Sequence, residues 1–302
     1  MIGSKTCTHK EMEYFRMDRK EFLITVNIAL GAVLVGSKVR AAEVNEKREL
    51  MGVLVDTTRC MGCRSCEYAC AEANGLPEPE EDEAVFDNER TQSETQWSVV
   101  NRYETDLGEV FVKKQCMHCM QPACAAACLT KAMYKSKEGP VIWREKKCMG
   151  CRFCMISCPF DIPKFEYHSA VPKLHKCQLC LDRIRNGEQP ACVENCLGDE
   201  ALVFGKRSEL IEIARKRIYG GPGNYVNHIY GEHEVGGTGM LYLASVPFDK
   251  LGFRNDLGSE SYPALTRQFL YTVPIVITLL PPFLLAISHA TKREQGKEKS
   301  EE

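Results

Sequence analysis

The sequence predicts an α+β protein made of repeated strand–loop–helix units, with one apolar helix near its C-terminus. Three observations lead to this prediction. Sixteen of the seventeen cysteines fall into four groups of four, and only Cys7 is left over. A short run of apolar and β-branched residues, typical of a strand, stands beside each group. Finally, nineteen residues without a charge, Phe269–Ile287, lie close to the end of the 302-residue chain.

Composition narrows the classes of function. A formal charge of −2 gives no sign of the basic surface that a nucleic-acid partner requires. A disulfide framework is unlike this pattern, because such frameworks do not usually repeat three-residue ligand turns four times. The sequence has neither a Gly-rich nucleotide loop nor a Ser–His–Asp pattern that stands out, and we predict no catalytic residue. The length allows one large domain or two ordinary ones.

Residues 1–42 are predicted to be an export leader. Basic residues, including Arg19 and Lys20, precede the short apolar run Phe22–Val35, and Val39–Ala41 offers a cleavage site. The leader resembles a twin-arginine leader with lysine as the second basic residue, and Met17 could be the natural start. The alternatives are an uncleaved anchor or a core helix, although the run is short for a membrane span.

The third cysteine group gives the chemistry. Cys148, Cys151 and Cys154 follow one another at three-residue steps and can hold three iron corners of one cube. Cys158 comes one helical turn later, is followed by Pro159, and points toward a second cluster. Structural zinc sites are instead built from two separated pairs. This stretch predicts a ferredoxin-type domain with at least two 4Fe-4S clusters.

In the other three groups, two residues separate the first pair of cysteines and three residues separate the last pair. They are Cys60, Cys63, Cys66 and Cys70 in group I, Cys116, Cys119, Cys124 and Cys128 in group II, and Cys177, Cys180, Cys192 and Cys196 in group IV. The spacing before the third cysteine is stretched in groups II and IV. Because no ligand is missing, we predict four 4Fe-4S clusters, held by all sixteen cysteines as iron ligands.

The repeated unit is a strand, a ligand loop and a short helix carrying the last cysteine, which implies duplicated ferredoxin-like modules over residues 43–206. The predicted strands are Met51–Asp56, Val110–Val112, Val141–Trp143 and Ala201–Phe204. The acidic stretch Glu78–Glu83 is predicted to be a solvated loop, with docking to a partner as the alternative.

Several side chains stand beside the ligands. His118, His175 and Lys176 are candidates to donate hydrogen bonds to cluster sulfur and raise its reduction potential. The alternative is that they are solvated or bond local carbonyl groups. We expect three methionines to pack around the clusters and two tryptophans to lie in the core or an interface; they are Met117, Met149, Met155, Trp97 and Trp143.

The segment 207–265 is predicted to be an amphipathic helix followed by extended, loop-rich chain. Leu210, Ile211 and Ala214 are at helical spacing over residues 207–217, and Ser208 could cap the helix. Glycine and proline are frequent over the extended part, which is a poor candidate for an independent domain.

Residues 266–290 are predicted to be a transmembrane helix. Its uncharged part is about 28 Å long, close to one hydrocarbon core. Its prolines argue against a straight soluble helix, but a membrane helix can accommodate kinks. The basic tail 291–302 predicts a cytoplasmic C-terminus and a cluster domain on the outer, periplasmic side. The alternative is a buried core helix.

Taken together, these motifs resemble the four-cluster electron-transfer subunits of membrane-linked molybdopterin oxidoreductases and nickel–iron hydrogenases. Within that superfamily the chain is most similar to hydrogenase-2 iron–sulfur subunits, and formate dehydrogenase and dimethyl sulfoxide reductase β subunits belong to the same superfamily. The stretches that carry the resemblance are Lys114–Cys119, Cys148–Cys154, Cys158–Phe160, Pro163–Phe165, His175–Cys180, Tyr230–Thr238 and Ser245–Phe248.

The resemblance implies that group I exchanges ligands with group IV, and group II with group III. The implied sets are Cys60, Cys63, Cys66 with Cys196; Cys177, Cys180, Cys192 with Cys70; Cys116, Cys119, Cys124 with Cys158; and Cys148, Cys151, Cys154 with Cys128. It further implies a non-catalytic subunit of the cytoplasmic membrane that connects a nickel–iron hydrogenase to a membrane quinone-reactive subunit. The alternatives are a formate dehydrogenase or other molybdopterin partner, and a structural zinc protein.

Overall fold

A three-stranded sheet forms the centre of the computed structural model, which describes residues 49–221 and 223–301. Its strands are β1 (Met51–Asp56), β8 (Leu202–Lys206) and β9 (Met240–Leu243). β1 is the middle strand, antiparallel to β8 and parallel to β9. It is buried on both faces because apolar residues run through it without alternation. The predicted leader 1–42, with Cys7, lies outside the described residues.

Three antiparallel hairpins complete the strands. They are formed by β2 (Val99–Thr105) with β3 (Gly108–Lys114), β4 (Met133–Lys135) with β5 (Val141–Trp143), and β6 (Lys164–Phe165) with β7 (Leu174–His175). The mixed helix and strand content and the strands predicted beside groups I, II and III are confirmed. The strand predicted at 201–204 begins one residue later and continues to Lys206.

Short helices follow the ligand loops, and the third cysteine of every group is the second residue of one of them. These helices are α1 (Ser65–Asn74), α2 (Ala123–Ala126), α3 (Phe153–Ile156) and α5 (Ala191–Glu194), while α4 (Leu181–Arg185) precedes α5. The prediction that the helix carries the last cysteine is correct only for α1. The other three end after one turn, so Cys128, Cys158 and Cys196 lie just beyond them.

The helix predicted at 207–217 is α6 (Arg207–Gly220). It packs Leu210, Ala214 and Ile218 against the outer face of the central sheet. The predicted cap is wrong: Lys206 is the N-cap residue and Ser208 lies inside the helix. The segment predicted to be extended also contains β9, since Met240–Leu243 pairs with β1 and completes the sheet.

The C-terminal helix is α7 (Tyr262–Glu301), and Pro274, Pro281 and Pro282 lie inside it. Its part from Tyr262 to Ser288 is long and apolar enough, by length and composition, to cross a membrane. Its large apolar side chains are exposed in the described chain, Leu270 and Phe283 among them. The predicted apolar helix is thus present, and it is not a buried core helix. The side chains of the predicted basic tail 291–302 are outside the description.

Candidate cluster-binding sites

The four ligand loops share one unusual backbone feature. The residue before the second cysteine has a positive φ in each group: Gly62 at 73°, His118 at 46°, Gly150 at 70° and Leu179 at 53°. A left-handed residue in a tight turn aims successive backbone N–H groups into one concavity, which favours anions such as thiolates and cluster sulfide. The Leu179 N–H accordingly lies 3.4 Å from the Sγ of Cys177.

Quartet A consists of Cys60, Cys63, Cys66 and Cys196. These four thiols line one cavity beneath the group I loop, together with Arg64. Burial raises the pKa of Cys60, and the nearby Cys196 and Cys63 raise it further. Burial is also the largest cause that raises the pKa of Cys196, with Cys63 again a neighbour. The fold therefore brings the last cysteine of group IV to the loop of group I.

Quartet B consists of Cys70, Cys177, Cys180 and Cys192. Burial raises the pKa of Cys70 to about 11, with Cys192 and Cys180 as thiol neighbours. Burial also raises the pKa of Cys177, to which Cys70 and Cys192 contribute. α1 carries Cys70 away from its own loop because one helical turn separates it from Cys66. The last cysteine of each of groups I and IV thus lies beside the first three cysteines of the other group.

Quartet C consists of Cys116, Cys119, Cys124 and Cys158. Burial raises the pKa of Cys119 well above its ordinary value, and the other three thiols add to that rise. Burial likewise raises the pKa of Cys158 to about 11, although the N–H of Ile162 opposes it. The stretched spacing before Cys124 does not prevent the four thiols from meeting.

Quartet D consists of Cys128, Cys148, Cys151 and Cys154. Burial raises the pKa of Cys154 to about 12, and the other three thiols are its neighbours. Partial burial raises the pKa of Cys128 as well, but hydrogen bonds to its sulfur outweigh that effect and lower it. One of these is the Met133 N–H, 3.3 Å from the Sγ of Cys128.

The quartets lie in the order A, B, C, D. Cys66 of quartet A neighbours Cys192 of B, Cys177 of B neighbours Cys116 of C, and Cys124 of C neighbours Cys154 of D. One cysteine at each end of the row is exposed, Cys63 in A and Cys151 in D, whereas the described cysteines of B and C are buried or partly buried.

The donor set tests which inorganic group fits. All sixteen described cysteines are free thiols. Among the described residues, no three His, Cys, Asp or Glu side chains are close enough together to hold a single metal ion. Four free thiols that lie too far apart to hold one ion, with N–H groups directed at some of the sulfurs, fit a polynuclear iron–sulfur group better than the single ion of a zinc site.

His118 is fully buried beside quartet C. Its Nδ1 accepts a hydrogen bond of 2.9 Å from the Val141 N–H, so the ring proton lies on Nε2. That nitrogen is buried and has no hydrogen-bond partner in the described chain. Burial holds the pKa of His118 well below its usual value, and the ring is therefore a neutral donor. This geometry agrees with the predicted donation to cluster sulfur.

The other two predicted donors differ from each other. Lys176 is buried, and its Nζ donates to the carbonyls of Val141 and Cys177 and lies 4.0 Å from the Sγ of Cys116. His175 places its Nε2 2.7 Å from the Glu166 carboxylate instead. Lys176 is therefore the better placed of the two to act on a cluster.

Two lysines near the quartets could not be predicted from the sequence: Lys113 is buried and Lys135 is partly buried. Lys113 lines the cavity of quartet A. Lys135 donates a 2.8 Å hydrogen bond to the His118 carbonyl, and burial lowers its pKa to about 8 even though Cys119 and Cys116 oppose that shift. No sequence signal reveals Lys113, because a lysine that follows Val112 in a strand reads as a solvent-facing residue.

Packing predictions were mostly correct. Met117 and Trp97 are buried in the core, and Met155 and Trp143 are partly buried against the core around quartet D. The prediction that Met149 packs around a cluster is wrong. Its side chain is 63% exposed, because its loop lies at the surface end of the row. The acidic stretch is exposed from residue 80 to residue 83, as expected of a solvated loop.

Known proteins share sequence with this chain. The family described as a 4Fe-4S dicluster domain matches residues 108–207. A protein of Nitratidesulfovibrio vulgaris is 42% identical over 92% of this chain and 78% of its own length. The hydrogenase-2 operon protein HybA of Escherichia coli O157:H7 is 33% identical over 92% of this chain and 97% of its own. The iron–sulfur subunit of the nitrate-inducible formate dehydrogenase of Escherichia coli is 32% identical over 67% and 70%.

Proposed function

Because this chain belongs to the family of iron–sulfur electron-transfer subunits that includes HybA and the formate dehydrogenase iron–sulfur subunits, we propose that it is a four-cluster conductor between a nickel–iron hydrogenase and a membrane quinone-reactive subunit. The observation that carries the proposal is the row of four thiol quartets, which ends at an exposed cysteine on either side. We expect no substrate chemistry on this subunit itself.

Each quartet would hold one 4Fe-4S cluster, in two tandem ferredoxin-like modules within residues 43–206. When bound, a cluster takes up and releases one electron at a time. The chain's own residues fix the positions of the sulfurs, exclude water from quartets B and C, and direct N–H groups at the thiolates. Four loops position these sulfurs and N–H groups, and they begin at Cys60, Cys116, Cys148 and Cys177.

The two ends of the row offer different docking surfaces. At quartet A, Met61 and Leu197 are exposed beside Cys63. At quartet D, exposed side chains surround Cys151; they are Met149, Phe153 and Ile156. Contiguous exposed apolar residues are typical of protein contact sites. We assign both ends to partner subunits on this ground.

The start of α7 distinguishes the ends. Tyr262 and Pro263 line one cavity with Ile156 and Cys158. Ile156 ends α3, the helix that carries Cys154 of quartet D, and Cys158 belongs to quartet C. Ser261 also donates a 2.8 Å hydrogen bond to Gln121, in the group II loop. If α7 crosses the membrane, quartet D lies nearer to the quinone-reactive subunit, and quartet A faces the catalytic partner.

The two half-reactions that produce and consume the electrons take place on the partner subunits. Oxidation of one dihydrogen at the hydrogenase releases two protons and two electrons, and reduction of one quinone takes up two electrons and two protons. No bond of this chain forms or breaks. The conductor therefore needs only closely spaced one-electron centres, which the neighbouring quartets supply.

The leader at 1–42, the span within 266–290 and the basic tail at 291–302 complete the proposal. They support a protein of the cytoplasmic membrane with its cluster domain on the periplasmic side. The segment 207–265, which completes the central sheet, connects the cluster domain to the span. A basic cytoplasmic tail favours this orientation.

Anaerobic purification with metal analysis tests the function. Four cubes require about sixteen irons per chain, and co-purified nickel identifies the hydrogenase. Well under sixteen irons would overturn the four-cluster proposal. Molybdenum or tungsten would instead favour a formate dehydrogenase, the second candidate, because a subunit of that enzyme is 32% identical to this chain.

Single ligand replacements test the sites. Cys151→Ser should lower the iron content and alter the electron paramagnetic resonance (EPR) spectrum of one centre, because it removes a thiolate from quartet D. Lys147→Ser, at an exposed residue directly before the same loop, is the control and should leave both unchanged. Equal iron content in the two variants would contradict the assignment of Cys151.

A further inference from the structure

Lys113 occupies an unusual position between two quartets. It is 3% exposed, near the end of β3, and lines the cavity formed by quartet A. The thiols that act electrostatically on its ammonium group come from both quartets: Cys66 from A, and Cys70, Cys177 and Cys192 from B. A single buried cation therefore faces two clusters of the proposed row.

Lys113 has no carboxylate partner within the described chain. Its Nζ donates a 2.8 Å hydrogen bond to the side-chain carbonyl of Gln115. The amide nitrogen of Gln115 donates to the Tyr242 hydroxyl at 3.0 Å, which in turn donates to the Lys113 carbonyl at 3.0 Å. This closed network fixes the lysine. The next residue, Lys114, is different, because it forms a 2.5 Å ion pair with Glu89.

An unpaired buried cation is costly unless an anion compensates it. A cluster with four thiolate ligands is anionic and becomes more negative by one charge on reduction. A fixed cation beside it therefore stabilises the reduced state more than the oxidised state, which raises the reduction potential. Lys113 can act in this way on two clusters at once.

We propose that Lys113 is the shared counter-charge of the clusters in quartets A and B, and that it raises the reduction potentials of these two above the values they would otherwise have. The proposal rests on the four-cluster function proposed above. Reduction with dithionite adds one electron to each cluster, with no change in any bond of the chain and no proton taken up by Lys113.

An anaerobic dithionite titration of the purified complex, followed by EPR, tests this role. In Lys113→Met we expect two of the four centres to become harder to reduce. At the wild-type midpoint of either centre, the ratio of reduced to oxidised cluster should fall about tenfold, which corresponds to 59 mV for a one-electron couple. Lys114→Met is the matched control and should shift neither centre, because the Lys114 ammonium pairs with Glu89 at the surface, where water screens its charge.

A second variant keeps the proposal testable if Lys113→Met fails to retain its clusters. Gln115→Glu keeps the lysine and places a carboxylate at the position of the side-chain amide, 2.8 Å from the Lys113 Nζ. The negative charge offsets the lysine, so the reduction potentials of both centres should fall, as in Lys113→Met. Unchanged potentials in the variants that keep their iron, or an equal shift of all four centres, would overturn the role of Lys113. Fewer than four titrating centres in the wild type would overturn the proposed function instead, so the two failures are distinguishable.

Discussion

Glu67 is the side chain whose replacement we expect to reveal most about stability. It is 1% exposed in α1, directly after Cys66. Its carboxylate accepts hydrogen bonds from Arg64 at 3.1 Å and from Gln96 at 3.0 Å, and its second oxygen pairs with Arg90 at 2.7 Å. One buried anion thus holds the group I helix against the chain that leads into β2.

Glu67→Gln keeps the shape of the side chain and removes the charge, which leaves two guanidinium groups uncompensated. Removing one partner of a buried ion pair costs about 3–5 kcal/mol. Arg64 is 6% exposed and Arg90 18%, so water screens part of the loss and the lower end of the range applies. A loss of about 3 kcal/mol lowers the Tm of a chain of this size by roughly 6–12 °C.

Circular dichroism during anaerobic heating, at one scan rate for all variants, measures this shift in iron-loaded protein. Glu72→Gln is the matched control, because Glu72 is an exposed glutamate in the same helix. We expect that control to stay within about 2 °C of the wild type, as surface substitutions usually do. If the two variants unfold at the same temperature, the argument from buried charge is wrong.

Three further predictions follow from the loops, the thiol centre and the last helix. Gly62→Ala should cost about 3 kcal/mol, since a Cβ there meets the Phe111 ring at 2.5 Å as well as a φ of 73°. Gly150→Ala has similar strain but open space and should cost about 1 kcal/mol; equal losses of Tm would refute the steric part. Anaerobic removal of iron with a chelator should abolish the native circular dichroism spectrum, because the metal fills the core between buried thiols, and a retained spectrum would contradict this. Deletion of 262–302 should move the protein, expressed without partners, from the membrane fraction to the soluble fraction with its iron retained, and continued sedimentation with membranes would argue against a span.

Much of the fold could be predicted because the relevant signals are local. Cysteine spacing marks the ligand loops, and runs such as Val53–Val55 mark buried strands. The apolar helix is visible as an uncharged stretch. Motif spacing also predicts how many quartets to expect, since each group has four cysteines.

The remaining features depend on contacts between distant parts of the chain. β9 was missed because its partner β1 lies far away in sequence, so its strand character comes from pairing and burial. The burial of Lys113 has the same origin, since quartets A and B enclose a position that strand alternation assigns to solvent. Ser208 is a residue type that often caps helices, but the helix begins at Arg207, one residue before it, so Ser208 lies inside the first turn.

The positions of the four quartets along the chain set the order in which their thiols are synthesised. Quartets C and D draw on nothing beyond Cys158, so their thiols are all available when little more than half of the chain has been synthesised. Quartet A waits for Cys196, and the sheet beside it waits for Met240–Leu243. The thiols of C and D, at one end of the row, are therefore complete first. A chain truncated before Cys177 would contain all four thiols of each of these two quartets, but only three of quartet A and one of quartet B.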